Sequence, residues 1–465
     1  MERTGVVSSL SVIDQLADFV CELDLDRVPA AVVDEARRCV LDTVGVIIAG
    51  QKSALGKAAI EHSKQAYRDG HAHLLGTAIK LHPMGAARLN AASGHAYDFD
   101  DTSYTGIMHG SVVVLPAALA MAEHQGAGGK LLLEAFIAGV EVEYAIAEWC
   151  TTHIYYKGWW TSSVYGPLGA AAAAAKILGL DRHATAHAMA IAVSQSSGMK
   201  ASFGSDAKPL GIGVAASIGT ESVLLAAAGL TGPNKVFEGK NGFLSLFNDD
   251  QHATHIGLQL SDKWRLHDPG ILFKSYPVCS AAQAGAELAA KLMDRHQLSS
   301  TDIVNVVCEV PPLVNISLVY HDPESIRQAQ FSMQYAIGCI LAYGDIKLEH
   351  LTEEVLAQPE LRQQMQKVTM RVPEYLENDD TVHQRCPEGA GVTITTRSRE
   401  QFGDFLDRPT GMPGNPVSTP ALVDKFRDCL IHGGKSDELA KSIADELLVI
   451  DACTDIRSLF DRLAK

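Results

Sequence analysis

The sequence predicts a mainly α protein: a large all-helical domain formed by both chain ends, with a smaller α+β domain inserted between them. Three observations carry this. Apolar residues recur at helical spacing through the first 265 or so residues, with little period-two alternation. β-branched runs then cluster between residues 303 and 396. Helical periodicity returns after a stretch rich in proline and glycine at 400–417. The boundaries that follow are 1–267 with 403–465 for the helical part and 268–402 for the α+β part.

Taken in order, residues 8–22 and 28–49 predict amphipathic helices. In the second, Val32, Val33, Ala36, Val40, Leu41 and Val44 share one side, with Asp34, Glu35, Arg37 and Arg38 opposite and Gly50 as C-cap. Helices follow at 83–97, Pro116–His124, Leu131–Cys150, 167–178, 181–197 and 211–229. Pro167 is placed near the start of the alanine-rich helix, where its missing N–H costs little. The α+β part predicts strands at 303–310, 367–372 and 391–396, with helical stretches at 279–294, 325–343 and 352–366. Residues 400–417 are assigned as a linker and 418–465 as helical.

The 465 residues are 47% hydrophobic and 20% charged, enough to bury a large core. Aromatics are sparse at 6% while Ala and Gly abound, so close helix packing is expected. A net charge of −16 argues against nucleic acid or an anionic membrane as partner. An anionic substrate would need a local cluster of Lys, Arg, His or helix N-termini. The nine cysteines form no CxxC and no signal peptide is evident, which predicts a cytoplasmic protein with free thiols and no zinc site. No apolar run reaches the roughly 18 residues that span a bilayer.

Four segments concentrate chemistry. Gly94–Ser111 holds Asp98, Asp100, Asp101, His95 and His109. These fit helix or turn capping, or acid–base work with shifted pKa values. Metal binding is a third reading, weakened by the lack of a second strong ligand group near the aspartates. Lys208 precedes Pro209 and a glycine-rich helix start, as a carboxylate-binding or tuned lysine would, or as a solvated loop lysine. Phe273–Ala282 lies at the domain boundary, where Lys274 is placed to bind substrate and Cys279 is read as a structural thiol rather than a nucleophile. Trp159 and Trp160 either wall a pocket or plug the core. No GxGxxG after a strand, Walker loop, GxSxG elbow or HExxH is present, which argues against nucleotide-, flavin- or metal-dependent chemistry and against hydrolases of the common types.

These segments, with Tyr165-Gly-Pro-Leu-Gly, Asp206-Ala-Lys-Pro-Leu-Gly-Ile-Gly, Gly229-Leu-Thr-Gly-Pro, Phe273-Lys-Ser-Tyr-Pro and Gly411-Met-Pro-Gly-Asn-Pro, resemble the MmgE/PrpD family across nearly the whole chain. The resemblance implies a helical domain with an inserted α+β lid, a homodimer, no cofactor, and a small carboxylic acid substrate. It also implies one of three activities: 2-methylcitrate dehydration, cis-aconitate decarboxylation or epimerisation of iminodisuccinate. By position it places active-site roles on Asp98, Thr102, His109, Lys208 and Lys274. This chain departs from the dehydratase and decarboxylase pattern: Trp160-Thr161 stands for a His-Pro pair, and Cys279 for a histidine. Losing two imidazoles favours an isomerase, an epimerase of iminodisuccinate, with a dehydratase or decarboxylase as the alternative. In that reading His109 and Lys208 are the acid–base pair, Asp98 orients His109, Lys274 binds a carboxylate and Thr102 donates a hydrogen bond. Tyr104, Trp160, Tyr165 and Cys279 line the cavity.

Overall fold

The computed structural model describes residues 10–252, 257–377 and 386–464. Helix Val12–Glu22 starts at Ser11, whose hydroxyl accepts from the Asp14 N–H. Residues 8 and 9 of the expected first helix lie outside the described residues. Helix Ala30–Gly50 buries the predicted face, Val32 to Val44. Gly50 is not its left-handed cap: the helix runs through it to Gln51. A Cβ at Gly50 would sit 1.8 Å from the Ser93 carbonyl oxygen. Glycine is required there because helix Pro83–Gly94 crosses at backbone contact.

Two further helices begin earlier than expected, at Ser111 and Thr161, so Pro116 and Pro167 lie inside them. Each proline removes one backbone hydrogen bond. Both helices are buried along nearly their whole length, and that packing keeps them continuous. Ser111–Gln125, Gly129–Cys150 and Thr161–Leu178 pack on one another, and Ala207–Ala227 lies against Thr161–Leu178, Pro83–Gly94 and Arg182–Val193. By length and composition Ala207–Ala227 is apolar enough to cross a membrane, contrary to the expectation of no such run. Its neighbours make it a core helix.

The C-terminal helices Thr419–His432, Asp437–Leu447 and Ile456–Leu463 add Leu422, Phe426, Ile443 and Phe460 to the core that holds Val40 and Leu115. Thr419–His432 runs along Ala30–Gly50. From it, Lys425 reaches Asp42 at 2.7 Å and the Phe99 carbonyl at 2.8 Å, fastening the tail to the Gly94–Ser111 loop.

A hairpin of β1 Ala72–His73 and β2 Lys80–Leu81 lies within the helical part. The main sheet comprises β3 Ile303–Glu309, β4 Val368–Arg371, β5 Ala390–Thr396 and β6 Gln401–Leu406, in the order β4-β3-β5-β6. Only β3–β4 pair in parallel. Strand β6 corrects the linker assignment for its residues. It is a half-exposed edge strand whose Gly403 and Asp404 weaken the sequence signal, and pairing with β5 makes it. Helix Ser280–Arg295 covers β5 and β6. The expected helices 325–343 and 352–366 are each broken, the first where Ser332 caps Met333–Tyr343 and the second at Pro359.

Candidate active site

Helix Pro83–Gly94 ends at His95, and the chain turns through Asp98, whose φ of 50° is left-handed. Aspartate tolerates that conformation better than most side chains. The turn aims three groups inward. His95 Nδ1 lies 2.9 Å from Asp100, and His109 Nδ1 lies 2.9 Å from the same carboxylate and 3.0 Å from the Asp101 carbonyl. Asp98 receives two lysines from distant segments. Lys208 Nζ donates to Asp98 Oδ2 at 2.6 Å and to His95 Nε2 at 2.6 Å. Lys274 Nζ donates to the Asp98 backbone carbonyl at 2.5 Å and to its Oδ1. All six residues are buried.

The bonding pattern fixes the tautomers. Asp100 takes an Nδ1 proton from each imidazole, and the Lys208 ammonium donates to His95 Nε2. Burial would raise the Asp98 pKa, but the Lys208 and Lys274 ammoniums outweigh it and hold the carboxyl well below its ordinary range. Asp100 is likewise buried and is held low by the two histidines. Burial pushes His109 down to about 4 and lowers His95. Lys274 stays firmly protonated: Asp98 and Asp100 overcome its burial and raise its pKa. Two ammoniums therefore share one carboxylate, Asp98, beside two neutral imidazoles. The cluster can accept a further anion and can move a proton through His109.

The ligand atoms of His95, Asp98, Asp100 and His109 lie within 4.8 Å of one another, close enough for a metal ion. Their donor capacity is already spent, with Asp98 neutralised by two ammoniums and Asp100 taking both Nδ1 protons. A divalent ion would face those ammoniums at close range, so this donor set does not suit one.

Several expected roles change. His109 Nε2 is 4.0 Å from Asp98 Oδ1, beyond hydrogen-bond reach, so Asp100 rather than Asp98 orients His109. The Thr102 hydroxyl donates to the Met108 carbonyl at 3.0 Å, and its backbone pairs with Leu272, which docks the loop beside Lys274. Tyr104 donates to Glu388 at 2.8 Å, and Ser280 donates to the same carboxylate at 2.9 Å. Tyr165 is set into the helical core against Phe243 instead of a cavity. Trp160 does wall the cluster: its ring centre lies 6.0 Å from His95 and 5.6 Å from His109. Lys208 Nζ sits 4.7 Å from the same ring, with Phe203 and Phe331 at 5.2 and 4.9 Å. Burial pushes the Cys279 thiol up to about 12, so it stays protonated.

The residues without an assigned role in the sequence reading are His95, Asp100 and Glu388. His95 and Asp100 lie in the histidine- and aspartate-rich loop itself, but only the left-handed turn at Asp98 shows that both face inward. His95 supplies an imidazole beside His109. It belongs to the matched segment, so the departures at Trp160-Thr161 and Cys279 stand beside it.

The family model for the MmgE/PrpD N-terminal domain matches residues 14–255, and that for the C-terminal domain matches residues 276–449. The chain is 29% identical to a human cis-aconitate decarboxylase over 429 residues, 90% of this chain and 87% of the relative. It is 27% identical to the mouse cis-aconitate decarboxylase, with 98% and 93% covered. It is 25% identical to that of Aspergillus terreus, with 99% and 96% covered. These relatives are named as decarboxylases, which are lyases, and this overturns the isomerase expectation. The N-terminal match covers the site loop and Lys208, Lys274 lies just ahead of the C-terminal match, and the chain belongs to the MmgE/PrpD family.

Proposed function

We propose that this chain is a lyase that removes a carboxyl group from a small unsaturated tricarboxylate of the cis-aconitate class. The observation that carries the reading is the buried cluster in which Lys208 and Lys274 share Asp98 beside His95 and His109. It offers cationic hydrogen-bond donors for carboxylates and a neutral imidazole, in a chain similar to proteins named cis-aconitate decarboxylases. The division into 1–267 with 403–465 and an inserted 268–402 belongs to the same proposal. It is supported by the tail helices packing on Ala30–Gly50 and by Lys274 entering from the inserted side.

In this reading a substrate carboxylate lies against the lysines. The incoming negative charge favours the imidazolium form, so binding draws a proton onto His109. The bond to the departing carboxyl breaks, its electron pair delocalises towards the neighbouring carboxylate, and Lys274 stabilises the charge that develops. His109 then delivers its proton to carbon, so that one proton enters and one molecule of carbon dioxide leaves. The test is carbon dioxide release from cis-aconitate by the purified chain, with succinate as control. Release that disappears in His109→Gln supports the reading; none from the unsubstituted chain refutes it.

A further inference from the structure

Lys200 has no role in the cluster described above, yet its setting is unusual. Residues 198–200 run antiparallel to 158–160: Trp160 N–H donates to the Gly198 carbonyl at 3.2 Å, and Lys200 N–H to the Gly158 carbonyl at 3.0 Å. One rung thus places Trp160 on the imidazoles, and the next places Lys200 on the same wall. The Lys200 ammonium sits 3.6 Å from the centre of the Tyr155 ring, and the Tyr155 hydroxyl lies 3.3 Å from Ser317 Oγ. Lys200 is half-buried and has no anionic partner among the described residues. Burial lowers it to about 8.

Phe203 links the two regions. Its N–H donates to the Lys200 carbonyl at 3.0 Å, and its ring centre lies 5.0 Å from that of Trp160 and 5.2 Å from Lys208 Nζ. The Cys279 thiol, kept protonated by burial, compensates none of the positive charge. Glu388 is held by Tyr104 and Ser280, burial raises its carboxyl, and no ion pair joins it to Lys200 among the described residues. A partly desolvated ammonium with only an aromatic face against it is an incomplete arrangement, and an anion completes it.

We propose that Lys200 is a specificity-determining residue whose ammonium takes the substrate carboxylate farthest from the Lys208–Lys274 pair. This rests on the proposed tricarboxylate substrate. It makes Lys200 the group that separates tricarboxylates from dicarboxylates.

The experiment is calorimetric titration of the full chain and of Lys200→Met and Lys200→Arg, with two unreactive probes, tricarballylate and glutarate. Lys200→Met weakens tricarballylate by about tenfold to a hundredfold, the worth of a charge-assisted hydrogen bond. Glutarate changes by less than about twofold and Lys200→Arg restores part of the loss. An unchanged melting temperature shows that the variants are folded. Equal loss for both probes, or none for either, overturns the inference, as does failure of the unsubstituted chain to bind tricarballylate. If the unsubstituted chain binds tricarballylate but releases no carbon dioxide from cis-aconitate, the proposed reaction fails while Lys200 is still judged by the ratio of the two probes.

Discussion

Two groups of buried acids lie side by side in this protein and behave in opposite ways. Asp98 and Asp100 face lysines and imidazoles, and their carboxyls are held far below the ordinary range. On the other side of the loop, Asp101 and Glu143 are equally buried, and burial pushes both well above it. Glu143 has no hydrogen-bond partner among the described residues. Asp42, beside Asp101, is raised as well, in spite of its contact with Lys425. Burial is the same in both groups, so depth does not decide ionisation. The number of cations and N–H donors within hydrogen-bond reach does. The loop therefore separates a charged, reactive face from a neutral, structural one. Gly110 makes the second face possible, since a Cβ there would lie 2.3 Å from the Glu143 carboxylate.

The sharpest way to break this comparison is to remove a cation from the charged face. Under the proposed function, Lys274→Met lowers the rate of cis-aconitate decarboxylation by roughly a hundredfold to a thousandfold, the usual loss when one charge-stabilising donor goes. Steady-state kinetics check it, and a rate within a few-fold of the unsubstituted chain would remove Lys274 from the chemistry.

Next is the contrast in stability. Asp98→Asn leaves two buried ammoniums without their carboxylate and costs about 3–5 kcal/mol in urea unfolding. Glu143→Gln removes a group that is already neutral, so it is neutral or mildly stabilising, within about 1 kcal/mol. Equal losses in the two variants would mean that the faces do not differ.

The two faces also predict opposite pH limbs. His109 titrates near 4 in the fold and near 6.5 when unfolded. Between those values the unfolded chain binds more protons, so stability falls as pH drops from 6.5 towards 4, by about 1–3 kcal/mol. Glu143 has the opposite sign: its folded pKa is raised, so the unfolded chain releases a proton first and stability falls as pH rises above the ordinary glutamate range. Unfolding across pH should show His109→Gln flattening the acid limb and Glu143→Gln the alkaline one.

The smallest expected effect is that of a chelator. Asp98 and Asp100 are already saturated by lysines and imidazoles, so EDTA leaves the rate of the purified chain unchanged; a loss restored by a divalent ion would contradict that account of the donor set.

Much of this was legible in the sequence for physical reasons. Helical spacing marked the buried face of Ala30–Gly50, and β-branched runs marked β3 and β5. The concentration of Asp98, Asp100 and His109 with Lys208 and Lys274 marked the cluster. What periodicity could not show was close approach and pairing. Gly50 reads as a cap until Ser93 is seen against it, and β6 reads as a linker until β5 is seen beside it. The partner of His109 was misassigned for the same reason. Asp98 and Asp100 are two residues apart, and only the left-handed turn at Asp98 decides which meets the imidazole and which meets the lysines. Tyr165 lies in a matching motif, yet its ring faces Phe243.

The central claim is that a proton is delivered to carbon as a carboxyl group leaves. It is tested most directly by proton NMR of the purified chain with cis-aconitate in deuterium oxide. The account predicts loss of carbon dioxide and a dicarboxylate product carrying solvent deuterium at carbon, with both signals absent in His109→Gln. Deuterium entering the substrate with all three carboxylates retained would contradict it, and would show that the cluster moves protons without breaking the bond to the carboxyl carbon.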